Sequence, residues 1–196
     1  MPGEGTIVGL DIGTTKVCAI VAERDENGRI EITGVGTSAS TGLRRGVVTN
    51  IEATLRAVSA AVEAAEMMSG REVHSCWVGI GGAHIEGVNS RGVVAVTGKG
   101  RETREIGKED IDRVIEAARA VLIPMDRQIL HVIPQTFVVD EQRGIHNPLD
   151  MIGVRLEAEV HIITGSVSSA QNLLKCVNRA GFRVEELVLH SLACAR

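Results

Sequence analysis

Tyrosine is absent from this 196-residue chain, and the other aromatics amount to Trp77, Phe137 and Phe182. Recognition of unstacked bases uses aromatic faces, so this composition argues against a single-stranded nucleic-acid reader. It also leaves the core to Val, Ile, Leu and Ala. Positive charge is not in excess either: Lys+Arg 21 against Asp+Glu 25 gives a net charge of −4, which argues against a broad nucleic-acid surface. The basic runs Arg44-Arg45 and Lys99, Arg101, Arg104 read as solvated loops. Cysteine is sparse, at positions 18, 76, 176 and 194, with no C-x-x-C spacing to mark a zinc or redox site. His74 with Cys76, and His190 with Cys194, offer two ligands each, too few for a metal centre. Unpaired thiols in a chain of this size fit a reducing cytosol. No basic-then-apolar leader opens the chain, and no apolar run approaches the ~20 residues that cross a bilayer.

What is present begins at residues 9–16, Gly-Leu-Asp-Ile-Gly-Thr-Thr-Lys, between two apolar runs. The pattern predicts a β-hairpin whose tip carries an Asp, a Gly, two hydroxyls and a closing Lys. Consecutive backbone N–H groups in a turn form a concavity that attracts anions. Gly13 lets the backbone approach a phosphate because no Cβ intervenes. Thr14 and Thr15 add hydroxyls, and Lys16 is a point cation with reach to a terminal phosphate. Asp11 is a hard oxygen ligand suited to a Mg²⁺ that keeps most of its waters. The same residues also build ordinary tight turns; the position between the first two strands favours the phosphate reading. No residue near this loop in sequence has the character of a catalytic base, since Glu23 and Asp25 belong to a solvated turn.

The rest of the chain predicts a mixed α/β fold. Segments 6–10, 17–23 and 30–36 form a meander, its second turn marked by Asn27-Gly28. A helix follows the capping-box pattern Thr49-x-x-Glu52, burying Leu55, Val58, Ala61, Val62, Ala65 and Met68 and stopping at Gly70. Met67-Met68 reads as core filler. A strand over 73–80 precedes Gly79-Ile-Gly81-Gly-Ala-His84, which fails as a dinucleotide fingerprint because His84 stands at the third glycine and no helix pattern follows. No Walker A sequence occurs. Between 84 and 163 lies a unit of different character. It holds a strand bent at Asn89–Gly92, a loop over 98–107, a helix reaching Leu122 and ending before Pro124, a strand over 128–139 with Pro134 at an edge or bulge, and a strand over 154–163. A capping box at Ser168-x-x-Gln171 starts a helix with Leu173, Leu174, Val177 and Ala180 inward, and a strand covers 182–189. The text then stops soon after Ser191-Leu-Ala-Cys, as if this were the front of a longer protein.

The order of hairpin, meander, helix and strand is similar to the first half of the actin, Hsp70 and sugar-kinase superfamily. Leu43-Arg-Arg-Gly46 with Asn50-Ile51, Val78-Gly-Ile-Gly81 with His84-Ile85, Asn89-Ser-Arg-Gly92, His131-Val-Ile-Pro-Gln135, and Gly153-Val-Arg-Leu156-Glu157 with His161-Ile162 narrow it further. Together, from about Ile7 to Leu192, they resemble the bacterial cell-division family FtsA. The resemblance implies an actin-like (ribonuclease H-like) subdomain 1A at 1–83 and 164–196, incomplete here, and an inserted α+β SHS2 (1C) subdomain at 84–163. It implies ATP and Mg²⁺ as cofactors, with Asp11, Gly13, Thr14, Thr15 and Lys16 as the first phosphate loop. It implies filaments, contacts of 84–163 with divisome proteins, a tether to FtsZ, and a C-terminal amphipathic helix on the cytoplasmic face of the cell membrane at the septum. The FtsZ-binding part, that helix and the second half of the ATP site would lie beyond residue 196, leaving at most a weak ATPase in the whole protein and none in this chain. An actin-like pilus-assembly protein, a sugar or acid kinase of the superfamily, and an interaction module without nucleotide stand as alternatives.

Overall fold

The computed structural model describes residues 5–96 and 104–195. In chain order its elements are β1 (Thr6–Ile12), β2 (Lys16–Arg24), β3 (Ile30–Ala39), β4 (Leu43–Arg44), β5 (Val47–Val48), α1 (Ile51–Ser69), β6 (Ser75–Ile80), β7 (Glu86–Ala95), β8 (Arg104–Glu105), α2 (Lys108–Arg119), β9 (Arg127–Val139), β10 (Gln142–Ile145), β11 (Ile152–Gly153), β12 (Arg155–Ser166), α3 (Val167–Arg179), β13 (Arg183–Leu189) and α4 (His190–Ala193). The chain divides into two units: Met1–Ile85 with Ser166–Arg196, and Glu86–Gly165.

The first unit is a five-stranded sheet in the order β13-β6-β1-β2-β3. β1, β2 and β3 are an antiparallel meander, while β6 and β13 run parallel to β1. Period-2 alternation sends Val8, Leu10, Ile12, Val17, Ala19, Val21, Cys76, Val78 and Ile80 into the core. Gly9, Asp11, Cys18, Ile20, Trp77 and Gly79 line a cavity on the opposite face. Burial raises the thiol pKa of Cys76 to about 11, so it is an inert core residue. On the core side α1 buries Ala57, Val58, Ala61, Val62 and Ala65. It lies so close to β3 that a Cβ at Gly36 would sit 1.9 Å from the Ala61 carbonyl oxygen.

Several local expectations change here. The N-cap of α1 is Asn50, whose Oδ1 accepts from the Ala53 N–H at 3.0 Å. Thr49 is not the cap, because its hydroxyl donates to the Gly42 carbonyl at 3.1 Å. Met67 and Met68 are 81 % and 66 % exposed rather than core filler, since the buried stripe of α1 ends at Ala65. α3 is capped by Ser166, not Ser168, because β12 runs into the helix without a loop. The Arg44-Arg45 run, read as a solvated loop, lies in the small β4–β5 hairpin, with Arg45 and Gly46 at positive φ in its turn.

The second unit is a four-stranded sheet, β10-β9-β12-β7, with α2 across one face. Its core is Val96, Ile106, Val114, Ala118, Phe137, Val139, Leu156, Ala158, Val160 and Ile162. β7 pairs with β12 without interruption from Glu86–Thr164 to Ala95–Arg155, so there is no bend at Asn89–Gly92. Gly92 serves packing instead: a Cβ there would meet the Val114 carbonyl oxygen at 2.2 Å. α2 ends at Arg119, and Leu122 is fully exposed instead of extending the helix face. Pro134 lies in β9, an interior strand of this sheet, but outside the stretch that pairs with β10. Of the loop expected over 98–107, residues 98–103 lie outside the described residues, as do Lys99 and Arg101.

Candidate phosphate site

The first hairpin tip forms because β1 and β2 stay in register to Ile12–Val17, leaving Gly13 to Lys16 as the turn. The Gly13 N–H donates to the Lys16 carbonyl at 2.9 Å, which closes it. That N–H is therefore engaged within the turn, and the exposed groups at the tip are Thr14, Thr15 and Lys16. A Cβ on residue 13 would lie 3.0 Å from the Lys16 carbonyl oxygen, so glycine is needed to shape the loop.

Two further glycine turns meet this tip. The β4–β5 turn reaches it through the Gly46 N–H, which donates to Thr14 Oγ1 at 3.3 Å. Gly46 in turn abuts the Gly81–Gly82 stretch that follows β6: a Cβ on residue 46 would be 2.3 Å from the Gly81 carbonyl oxygen. Between them lies a cavity of about 330 Å³ lined by Gly13, Thr14, Arg45, Gly46, Gly82 and His190, among others. A larger, mostly apolar cavity of about 660 Å³ lies along the open sheet face, past Asp11, Lys16, Trp77, Gly79 and His190. The parallel strands β1, β6 and β13 all point their C-terminal ends at this corner, which is where ligands of open α/β sheets bind.

Asp11 and Lys16 both line the larger cavity, and Lys16 contributes to keeping the Asp11 carboxyl ionised. The dominant influence on Asp11 is His190, whose Nε2 lies 2.9 Å from Asp11 Oδ1. The imidazole holds that carboxyl below the ordinary aspartate range against a burial effect that would raise it. Asp11 reciprocally raises the pKa of His190. Among the described residues no group of three or more His, Cys, Asp or Glu side chains could cage a metal. The donor set fits Mg²⁺ only in its usual phosphate-bound form, with one carboxylate reached through water and the remaining ligands from phosphate and solvent.

Sequence reading brought Asp11, Gly13, Thr14, Thr15 and Lys16 together because they are contiguous. It missed His190, which the topology carries to Asp11 from the far end of the chain, and it missed the Gly46 and Gly82 walls. The glycine run at the end of β6 signalled a close approach without naming its occupant. Gly79-Ile-Gly81-Gly is no dinucleotide fingerprint, yet its glycines are needed: a Cβ at residue 79 or 81 would stand 2.6 or 2.7 Å from an imidazole nitrogen of His190.

Comparison with known proteins concerns the chain as a whole. Residues 82–164 match the family described as the SHS2 domain inserted in FTSA. The cell division protein FtsA of Borreliella burgdorferi is 60 % identical over 95 % of this chain and 45 % of its own length. That of Pseudomonas aeruginosa is 48 % identical over 96 % and 44 %, and that of Escherichia coli K12 37 % identical over 95 % and 43 %. Among solved structures, the PilM-PilN type IV pilus biogenesis complex superposes with a TM-score of 0.65 at 12 % identity, covering 95 % of this chain and 48 % of that one. At that identity the likeness concerns the fold, which is α/β and actin-like. The chain spans somewhat less than half the length of the curated relatives it matches. Across nearly all of its own length the chain is similar to the curated FtsA proteins, and residues 82–164 carry a match to the SHS2 domain inserted in FTSA.

Proposed function

We infer that this chain is the part of an actin-like cell-division protein that holds the phosphates of ATP and presents the SHS2 unit to partners. The observation that carries the reading is the meeting of three glycine turns, at residues 13, 46 and 82, beside Asp11 and Lys16 at the C-terminal ends of three parallel strands. Thr14, Thr15 and Lys16 contact the phosphates; Gly13 shapes the loop. Asp11 orients a water of the accompanying Mg²⁺, which when bound neutralises phosphate charge. The assignment of residues 84–163 as the self-association and divisome-contact subdomain rests on the same kinship.

On this reading the tether to FtsZ, the membrane attachment at the cytoplasmic face of the septum and the second wall of the nucleotide cleft fall to other parts of the full-length protein. No described helix is long and apolar enough to cross a membrane. Hydrolysis, where it occurs, is slow, since an assembly protein needs nucleotide held rather than turned over. The likeness to the PilM complex keeps a pilus-assembly role as the second reading, at a far lower identity than the FtsA relatives.

Lys16→Ala in the full-length protein tests the site. Loss of ATP binding with impaired filaments is expected, measured by calorimetry and by sedimentation. Unchanged ATP affinity removes Lys16 from the site.

A further inference from the structure

His190 is unlike its neighbours in what the sheet gives up for it. Gly79 lies within β6 and Gly81 just beyond it, and a Cβ on either would collide with the imidazole, at 2.6 Å from Nε2 and 2.7 Å from Nδ1. Glycine weakens a strand and exposes its backbone, and it marks places where another group must come close. The slot these two positions leave is filled by one ring, delivered from the first residue of α4 directly after β13.

The ring's Nε2 lies 2.9 Å from Asp11 Oδ1, close enough for a charge contact although that nitrogen makes no hydrogen bond of regular geometry, in a pair whose side chains are 40 % and 51 % exposed. A half-exposed ion pair adds about 0–1 kcal/mol to stability, too little to account for two sacrificed side chains, one in β6 and one just past it. His190 also lines both cavities, the one along the open sheet face and the one beyond the hairpin tip. It stands between the carboxylate and the place where the three glycine turns converge.

We propose that His190 is a positioning residue of the phosphate site, holding one oxygen of Asp11 so that the other faces the hydrated Mg²⁺ that accompanies a nucleotide. The proposal rests on the phosphate-site reading above and adds a metal-specific role to a residue from the last described element. It places His190 behind the carboxylate, as second partners stand behind metal-ligating groups elsewhere; removing such partners costs about 10–100-fold in metal affinity. Gly79 and Gly81 belong to the same device, because they make the slot.

The test uses the full-length protein and measures ATP affinity by calorimetry twice, in excess Mg²⁺ and in EDTA. His190→Ala is expected to weaken binding about tenfold or more with Mg²⁺ and to change it less than about threefold in EDTA. His190→Gln, whose amide can donate to the same carboxylate oxygen, is expected to recover most of the loss. Gly79→Ala, which displaces the ring while leaving both partners chemically intact, is expected to reproduce the Mg²⁺-selective defect. The melting temperature without ligand should stay within about 2 °C of wild type for all three, separating positioning from folding. Equal losses with and without Mg²⁺, or no loss in either, overturn the role of His190 while leaving the phosphate site standing. A wild-type protein that binds no ATP overturns the site itself and the proposal with it.

Discussion

Asp110 shows how one residue can join two parts of the SHS2 unit. It is buried in the first turn of α2, yet its carboxylate is fully engaged. Oδ2 accepts from Arg104 at 2.6 Å and from the Gly107 N–H at 3.0 Å, and Oδ1 accepts from Arg104 at 2.7 Å and Arg113 at 3.0 Å. The bidentate Arg104 fork holds the carboxyl below its ordinary range; burial opposes this, and the Gly107 N–H and the Arg113 charge add to it. The sign follows. A depressed folded pKa stabilises the native state above the unfolded value, about 3.9, and that stabilisation fades as the pH falls below it. Asp110→Asn should therefore cost about 2 kcal/mol at pH 7, a figure kept modest because Arg104 and Arg113 are partly exposed. The gap between variant and wild type should narrow toward pH 3. Urea unfolding at pH 7, 5, 4 and 3 measures this, and a pH-independent gap would rule out the charge as its source. The sequence carried none of it. Asp110 reads as one acidic residue among several at a helix start, and only the fold brings Arg104 to it.

At the scale of elements, the legible features were those that repeat with a short period. The three meander strands, the stripe of α1 and its Gly70 stop all follow from alternation, helical spacing and one left-handed cap. What failed was choice among adjacent polar residues. Thr49 and Asn50 both qualify as caps, and the decision falls to Gly42, whose carbonyl takes the Thr49 hydroxyl. Ser166 and Ser168 present the same ambiguity, settled by where β12 ends. Asn50→Ala should consequently lower stability by about 1 kcal/mol, while Glu52→Gln, at the position where a Thr49 box would have placed its partner, should have a smaller effect. Thermal unfolding of the two variants distinguishes the caps. A Glu52→Gln loss as large as that of Asn50→Ala would return the cap to Thr49. The candidate site divides along the same line. The contiguous loop from Asp11 to Lys16 could be read directly, whereas His190, Gly46 and Gly82 are assembled by parallel pairing and a small hairpin, long-range events that leave no local pattern.

At the scale of the whole molecule, the two units differ in what each needs. The Glu86–Gly165 unit has its own core and enters and leaves through the adjacent ends of β7 and β12, where Glu86 pairs with Thr164. Arg127 ties both ends, with Nε donating to Thr164 Oγ1 at 3.0 Å and Nη1 3.0 Å from Glu86 Oε1. An insert whose ends are already joined can be excised without stretching what remains, because closing the gap takes only a short linker. Replacing residues 86–165 by a few glycines and serines should leave the actin-like unit folded and should abolish self-association of the full-length protein. Circular dichroism and sedimentation check the two halves of that statement, and filaments that persist after excision would take the assembly role away from the insert. The actin-like unit has a different deficit. On the proposed reading its corner contacts only the phosphates, which would leave the base and part of the triphosphate in water. This chain alone should bind MgATP no tighter than about 0.1 mM, roughly −5 to −6 kcal/mol. Low-micromolar affinity measured by calorimetry on these 196 residues would mean that the turns at residues 13, 46 and 82 form a complete site without a second wall.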